Sequence, residues 1–352
     1  MRMGHDSIRR NLDETILEEV LDELSSYFVN DLPEPPENLF KYTSRRVNPE
    51  ISNNISYELG NKMIKYRLSD KEYFISFLKI VRYVFNNKKV SNNPKANILL
   101  AQTGAGKSKL RELIIRENPS SVIINSDKFK KFRNDVDKIL KEDAENFGAL
   151  TGIDSYDHAN DINTYAIKKG YDILIECAPS VSKGLTGVDI DMLNDYGYNI
   201  KYHALAVGNL VSAIDIHKRY ENDINNPTMK GEAKLTDIGR HNDSYAGLKN
   251  VMENINQDQL EIYRRGTKTE NYIPYKIYTK DKIHTFKELQ YKSNIEYINT
   301  QIDNGFKDYN YIKQQMCNRN ASNLQLEQLE EVKKMMLMYY FDNAKTSKEE
   351  ER

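Results

Sequence analysis

Apolar residues recur at helical spacing near the start of the chain. Ile8, Leu12, Ile16, Val20 and Leu24 fall four apart, and Leu17, Leu21 and Phe28 widen the stripe, so the pattern predicts an amphipathic helix over 7–28. Residues 30–40 then hold three of the nine prolines, which exclude a helix and predict an extended linker. Residues 57–70 and 71–88 predict two more helices, the second carrying Phe74, Phe77, Leu78, Val81 and Val84. Residues 86–96 are polar and turn-rich and mark a boundary.

From Ala96 the rhythm changes. Short continuous apolar runs at 97–101, 121–125, 172–177 and 202–207 alternate with helical patterns, which predicts a parallel sheet covered on both faces. Two shorter strands are expected at 259–263 and 274–279. Residues 285–342 read as helical. Leu326, Leu329, Val332, Met336 and Met338 mark one late helix packed into a core, and residues 346–352 read as a frayed end. No internal repeat is present. The expected class is α/β: a kinase-type core at 91–283, a helical region at 1–90 and helical additions at 284–352.

Composition narrows the function classes. Fifty-one Lys and Arg against fifty-two Asp and Glu give a net charge of −1, which disfavours a generic nucleic-acid binder. No apolar run approaches the roughly 20 residues of a membrane span, and the start MRMGHDSIRR lacks the apolar core of a secretory signal. Cys177 and Cys317 make no disulfide framework and no metal-ligand spacing. A reduced, cytoplasmic protein is the expectation.

The chemistry is concentrated at ANILLAQTGAGKSKLRELI, residues 96–114. A strand runs into Ala101-Gln102-Thr103-Gly104-Ala105-Gly106-Lys107-Ser108 and a helix follows, which is the context of a phosphate-binding P-loop. Ala101 stands where the strict pattern has glycine. Gly104 and Gly106 let successive N–H groups turn inward toward an anion, and the helix N-terminus adds partial positive charge. Lys107 is expected to reach the β- and γ-phosphates, and the Ser108 hydroxyl to ligate Mg²⁺. Residues Thr103 to Lys109 form the expected ATP-binding set, although Lys109 and Arg111 also read as solvated helix positions.

The strand SVIINSD ends at Asp127, twenty positions after Lys107. This strand is expected to adjoin the one feeding the loop, so that its carboxylate sits by the γ-phosphate and can take the proton of an acceptor hydroxyl. The same position also suits an N-cap for the helix that follows. Positive charge on the transferring group is expected from Arg219, at the end of the helix after the fourth strand. The polar stretch 228–243 adds Lys230, Lys234, Arg240 and His241, which read as a basic lid.

Taken in order, QTGAGKS, IINSDKFK, GYDILIEC, KRYE and KLTDIGRH resemble the zeta toxin family of P-loop kinases over roughly residues 96–280. The resemblance implies ATP- and Mg²⁺-dependent phosphorylation of a hydroxyl on a sugar nucleotide such as UDP-N-acetylglucosamine. It implies Asp127 as general base, Lys107 on the phosphates, Arg219 as the first family arginine and Lys234 in place of the second. Glu176 is then expected near the acceptor or metal. Where the family carries an E-G-T-x-R-T type of segment, this chain has residues 175–186, and Ser180, Lys183 and Arg240 are the expected acceptor contacts. Asp237 replaces the lid proline. Family members are restrained by a small helical antitoxin, and residues 1–90 could serve as an internal inhibitor, a docking or translocation segment of an effector delivered into another cell, or plain packing. Competing readings are a kinase acting on NAD or on a nucleic-acid 5′-hydroxyl, and a nucleotide-binding regulator without transfer.

Overall fold

In the computed structural model, the described residues are 9–12, 15, 16, 19, 20, 43–47, 49, 51, 55–144, 146–185, 187–226, 235–302 and 304–350. In chain order the elements are β1 (Arg9–Asn11), β2 (Ser44–Arg46), α1 (Tyr57–Lys65), α2 (Asp70–Phe85), β3 (Lys95–Leu100), α3 (Lys107–Glu117) and β4 (Val122–Ile124). Short helices α4 (Ser126–Phe129), α5 (Val136–Asp143) and α6 (Phe147–Leu150) precede α7 (Gly152–Lys169), β5 (Ile173–Cys177), α8 (Ile190–Asp195) and β6 (Asn199–Ala206). Then come α9 (Asn209–Asn225), α10 (Ile238–Asn254), β7 (Leu260–Arg264), β8 (Tyr275–Ile277), α11 (Lys282–Ile302), α12 (Lys307–Asn318) and α13 (Asn323–Glu350). The fold is α/β, and its mostly parallel sheet has the order β4-β5-β3-β6-β7-β8, with β8 antiparallel to β7. The strand leading to Asp127 therefore does not adjoin β3. The strand that ends in Glu176 and Cys177 lies between them, an order that apolar runs alone do not encode. No helix among the described residues is long and apolar enough to cross a membrane.

The chain divides into two compact units. One comprises Met1–Ala96, Asn118–Ile175 and Gly187–Ile200, and the other Asn97–Glu117, Glu176–Thr186 and Lys201–Arg352.

In the first unit, α2 forms as its pattern demands. Ser69 and Glu72 make a reciprocal capping box at its start, and Tyr73, Phe74, Phe77, Leu78, Ile80, Val81 and Val84 are buried along its face. The expected helix over 7–28 begins differently. Residues 9–11 form a strand that pairs antiparallel with 44–46, and helix is described only at Thr15, Ile16, Glu19 and Val20. Ile8, Leu17, Leu21, Leu24, Phe28 and the proline-rich stretch 30–40 lie outside the described residues.

The reason for the strand is electrostatic. Helix α7 presents Asp154, Asp157 and Asp161 at three- and four-residue spacing, all buried. Arg9 reaches Asp157 (3.2 Å) and Asp161 (3.3 Å), Arg46 reaches Asp157 (2.7 Å), and Arg45 reaches Asp154 (3.0 Å). Arg67 and Arg133 complete the set on Asp157 (3.4 Å) and Asp154 (2.8 Å). Buried carboxylates persist only when paired and hydrogen-bonded in this way. Between them His158 stacks on Tyr73 at 4.0 Å between ring centroids.

In the second unit α9 packs with α11, α12 and α13 around Leu210, Ile214, Ile298, Ile312, Met316, Leu329, Val332 and Met336. Met338, expected in that core, is 50% exposed, because its position turns it off the buried stripe. The backbone of α13 stays helical through Glu350, beyond the point where fraying was expected.

His217 on α9 is buried, and neither ring nitrogen has a hydrogen-bond partner. Burial, with lesser contributions from the charges of His241 and Arg319, pushes its pKa down to about 4. The folded state therefore refuses a proton that the unfolded chain accepts near 6.5, so stability is lost as pH falls from about 6.5 toward 4. His217→Leu is expected to be more stable than the parent in acid. The gap in thermal midpoint should widen across that window, and a constant gap would refute the assignment.

Candidate functional site

The phosphate loop lies in the second unit. Strand β3 ends at Leu100 and α3 begins at Lys107, so the loop occupies Ala101 to Gly106. Gly104 and Gly106 hold φ of +79° and +89°, the left-handed region that glycine reaches without strain. At Gly104 a Cβ would stand 2.2 Å from the carbonyl oxygen of Ser212 and 2.7 Å from Ile216 Cγ1. Gly104→Ala therefore faces both the backbone penalty of about 1–2 kcal/mol and a collision with α9. It should lower the urea midpoint more than Gly305→Ala, where φ is +57° but the space is open; equal losses would show that the collision is relieved at no cost.

The loop is braced from beneath. Buried Gln102 donates from Nε2 to the Val207 carbonyl (2.7 Å) and to Ser212 Oγ (3.1 Å). The Thr103 N–H donates to Ser244 Oγ (3.3 Å), and the Ala101 N–H to the Cys177 carbonyl (3.3 Å). Lys107 Nζ donates to the carbonyls of Ala101 (3.0 Å) and Gln102 (2.9 Å), so the ammonium lies over the loop. Buried Thr103 Oγ1 has no hydrogen-bond partner. Ala105 is fully buried, whereas Ser108 and Lys109 are exposed at the start of α3, with Lys109 paired to Glu112 (3.2 Å).

His241 is not a lid cation. It is fully buried, with Nε2 2.8 Å from Ser212 Oγ. Burial lowers its pKa, the Asn242 hydrogen bond opposes that, and the charge of Lys107 lowers it further. It is thus a neutral strut between α10 and α9. Asp237, in the place of the family's proline, caps α10 by accepting from the Arg240 N–H (3.0 Å). Lys230 and Lys234 lie outside the described residues.

Arg111 is not solvated. Its Nη1 donates to Glu176 at 2.6 Å, with both side chains largely buried. Glu176, at the end of β5, is therefore a carboxylate held by a guanidinium. Arg240 donates to the carbonyls of Ala178 (2.9 Å) and Pro179 (3.4 Å) and to Asp243 (2.9 Å), which ties the segment after β5 to α10. Ser180 Oγ accepts from the Lys183 N–H (3.0 Å), and the Ser180 backbone sits so close to Gly247 that a Cβ there would be 2.4 Å away. Lys183 is exposed on this segment.

Arg219 is exposed on α9. It stands seven residues after Ser212 and three after Ile216, the two residues that meet Gly104, so it continues the same side of the helix by one turn. Sequence reading missed Arg265. Its Nε would lie 3.8 Å from a Cβ at Gly106, its guanidinium pairs with Asp215 and stacks 5.4 Å from the Tyr272 ring centroid. No motif marks it, because it follows β7, more than 150 positions after the loop it approaches.

Asp127 belongs to the first unit. It lies inside α4 rather than capping it; Asn125 is the cap, accepting from the Lys128 N–H (3.2 Å). The Asp127 side chain is 62% exposed and pairs with Lys130 Nζ at 2.7 Å. Buried Lys130 also donates to the Gly148 carbonyl (3.2 Å), which fixes the ammonium that faces the carboxylate. Among the described residues no three His, Cys, Asp or Glu side chains cluster to hold a metal ion.

Comparison with known proteins points one way. Toxin zeta of Enterococcus hirae is 27% identical over 186 residues, which are 51% of this chain and 63% of that protein. The match thus spans a little under two thirds of the relative's length. A structure from the PezAT chromosomal toxin–antitoxin system of Streptococcus pneumoniae superposes with a TM-score of 0.57 at 20% identity, over 70% of this chain and 98% of that one, and shares the fold. The family model described as Zeta toxin matches residues 82–274, which contain the phosphate loop, Asp127, Glu176, Arg219 and Arg265. That stretch is more than half of the sequence, and the chain belongs to the Zeta toxin family.

Proposed function

We propose that the chain is a kinase that moves the γ-phosphoryl group of ATP to a hydroxyl of a sugar nucleotide or related small nucleotide. The observation that carries this reading is the phosphate loop, with two left-handed glycines, a helix N-terminus and Lys107 folded over it. Loop N–H groups and the unpartnered Thr103 hydroxyl suit phosphate oxygens. Lys107 would exchange two carbonyl partners for the β- and γ-phosphates. Ser108, exposed at the first turn of α3, would hold a Mg²⁺ together with the nucleotide. That ion, when bound, neutralises charge on the phosphate oxygens.

Asp127 takes the acceptor's hydroxyl proton in this scheme, with Lys130 as its standing counter-ion. Arg219 and Lys234 supply charge to the transferring group. Glu176, steadied by Arg111, and the segment carrying Ser180, Lys183 and Arg240 are assigned to the acceptor. A helical antitoxin partner is part of the proposal, because the similar structure comes from a toxin–antitoxin system. The test is incubation with ATP, Mg²⁺ and a panel of nucleotide sugars, NAD and oligonucleotides, read by mass spectrometry for one added phosphate. A labelled nucleotide sugar supports the reading, and labelled NAD or oligonucleotide moves the acceptor class. ATP binding with no labelled acceptor would replace the kinase with a regulator.

A further inference from the structure

A cavity of about 550 Å³ opens in the first unit between β2 and the turn that leads into α2. Four of its lining residues are arginines, Arg10, Arg45, Arg46 and Arg67, and the one acid among its lining residues is Asp70. All precede residue 82, where the family match begins.

We propose that this cavity is a binding site for a small phosphate-bearing ligand, independent of the phosphate loop. The first argument is charge. Asp70 is already held on both oxygens by Arg10 (2.7 Å) and Arg45 (2.7 Å). The carboxylates beneath, Asp154 and Asp157, are shared among Arg9, Arg45, Arg46, Arg67 and Arg133. Asp161, the third acid of α7, is pushed up to about 7 by burial, against the pull of Arg9, and so is only partly ionised at neutral pH. Among the described residues six guanidiniums, Arg9, Arg10, Arg45, Arg46, Arg67 and Arg133, face five carboxylates, Asp70, Asp135, Asp154, Asp157 and Asp161, the last only partly ionised. Arg67 registers the excess: burial lowers its pKa first, and the neighbouring charge of Arg45 next.

The second argument is unspent donors. Arg45 is 6% exposed, and its buried Nε has no hydrogen-bond partner. Arg67 Nε is likewise without a hydrogen bond, 3.5 Å from Asp154. Buried donors left unmade are destabilising, and a network serving stability alone has no use for surplus cations. An anion supplies the missing negative charge, and planar guanidiniums match phosphate geometry. The volume falls within the usual range for small-molecule sites and exceeds what a bare phosphate fills, so a nucleotide-sized phosphoester fits. The chain's net charge of −1 disfavours a polynucleotide.

The test uses the full chain carrying Lys107→Ala, which removes the phosphate loop as a competitor, and titrates pyrophosphate and ADP calorimetrically at low salt. Binding should persist in this background. Val47→Glu places a carboxylate at the cavity's lip, where Val47 is 42% exposed and its loss removes no charged partner. It should weaken binding more than tenfold with an unchanged thermal midpoint. Arg10→Glu, at the most exposed of the four arginines, should weaken binding at least as much and, because it takes Arg10 from Asp70, also lower the thermal midpoint. Loss of all binding with Lys107→Ala, or binding unaffected by Val47→Glu, would overturn the site. Neither result bears on phosphoryl transfer, which the mass-spectrometric panel reads separately.

Discussion

Asp127→Asn is expected to cut phosphoryl transfer by about 10²–10⁴-fold, the range that a positioned general base contributes, while ATP binds with nearly unchanged affinity. The substitution keeps size and hydrogen bonding and removes the proton acceptor. Asp127 is mostly exposed but its partner Lys130 is buried, so the thermal midpoint should fall modestly while the amide oxygen still accepts from Lys130 Nζ, and transfer is measured well below that midpoint. Lys107→Ala should differ in kind, losing nucleotide affinity and transfer together. Single-turnover transfer and ATP titration of both variants separate the roles. Full transfer by Asp127→Asn would remove Asp127 from the reaction.

Glu221→Ala should produce the largest stability loss, about 3–5 kcal/mol, the cost of stripping one partner from a buried ion pair. Glu221 closes the KRYE motif and is fully buried on α9, where Arg319 grips both carboxylate oxygens at 2.7 and 2.9 Å. Arg319 follows α12 directly, so this one pair pins the α12–α13 turn to α9. Removing the carboxylate takes both charge-assisted bonds from Arg319 and leaves its bond to Gln325 Oε1 (2.8 Å). Glu221→Ala combined with Arg319→Met should recover part of the loss, since no unpaired charge remains. Urea unfolding of the two single variants and the double variant measures this. A loss under about 1 kcal/mol would place the pair among weak surface bridges.

Much of this was legible in the sequence. The apolar runs located β3 to β8 within a few residues, and the α2 and α13 stripes packed largely as their spacing required. The loop glycines were readable because their conformation is a local demand. Long-range pairings were not readable. Asp154, Asp157 and Asp161 look like ordinary solvated charges until arginines from residues 9–67 fall against them. Arg111 read as solvated for the same reason, since its partner Glu176 is 65 positions away. His241 read as a cation, and burial made it neutral. The neighbour of β3 could not be chosen from hydropathy, because every parallel strand in a covered sheet carries the same apolar signature.

The arginine clasp on α7 also governs how the chain can be trimmed. The family match, starting at residue 82, invites expression of a shortened catalytic fragment. Such a fragment would discard Arg9, Arg45, Arg46 and Arg67 while keeping three inward-facing aspartates, stranding anionic charge in an apolar interior. Arg9, Arg45, Arg46 and Arg67 thus brace α7, and a soluble truncation that removes them would need those aspartates neutralised in the same gene.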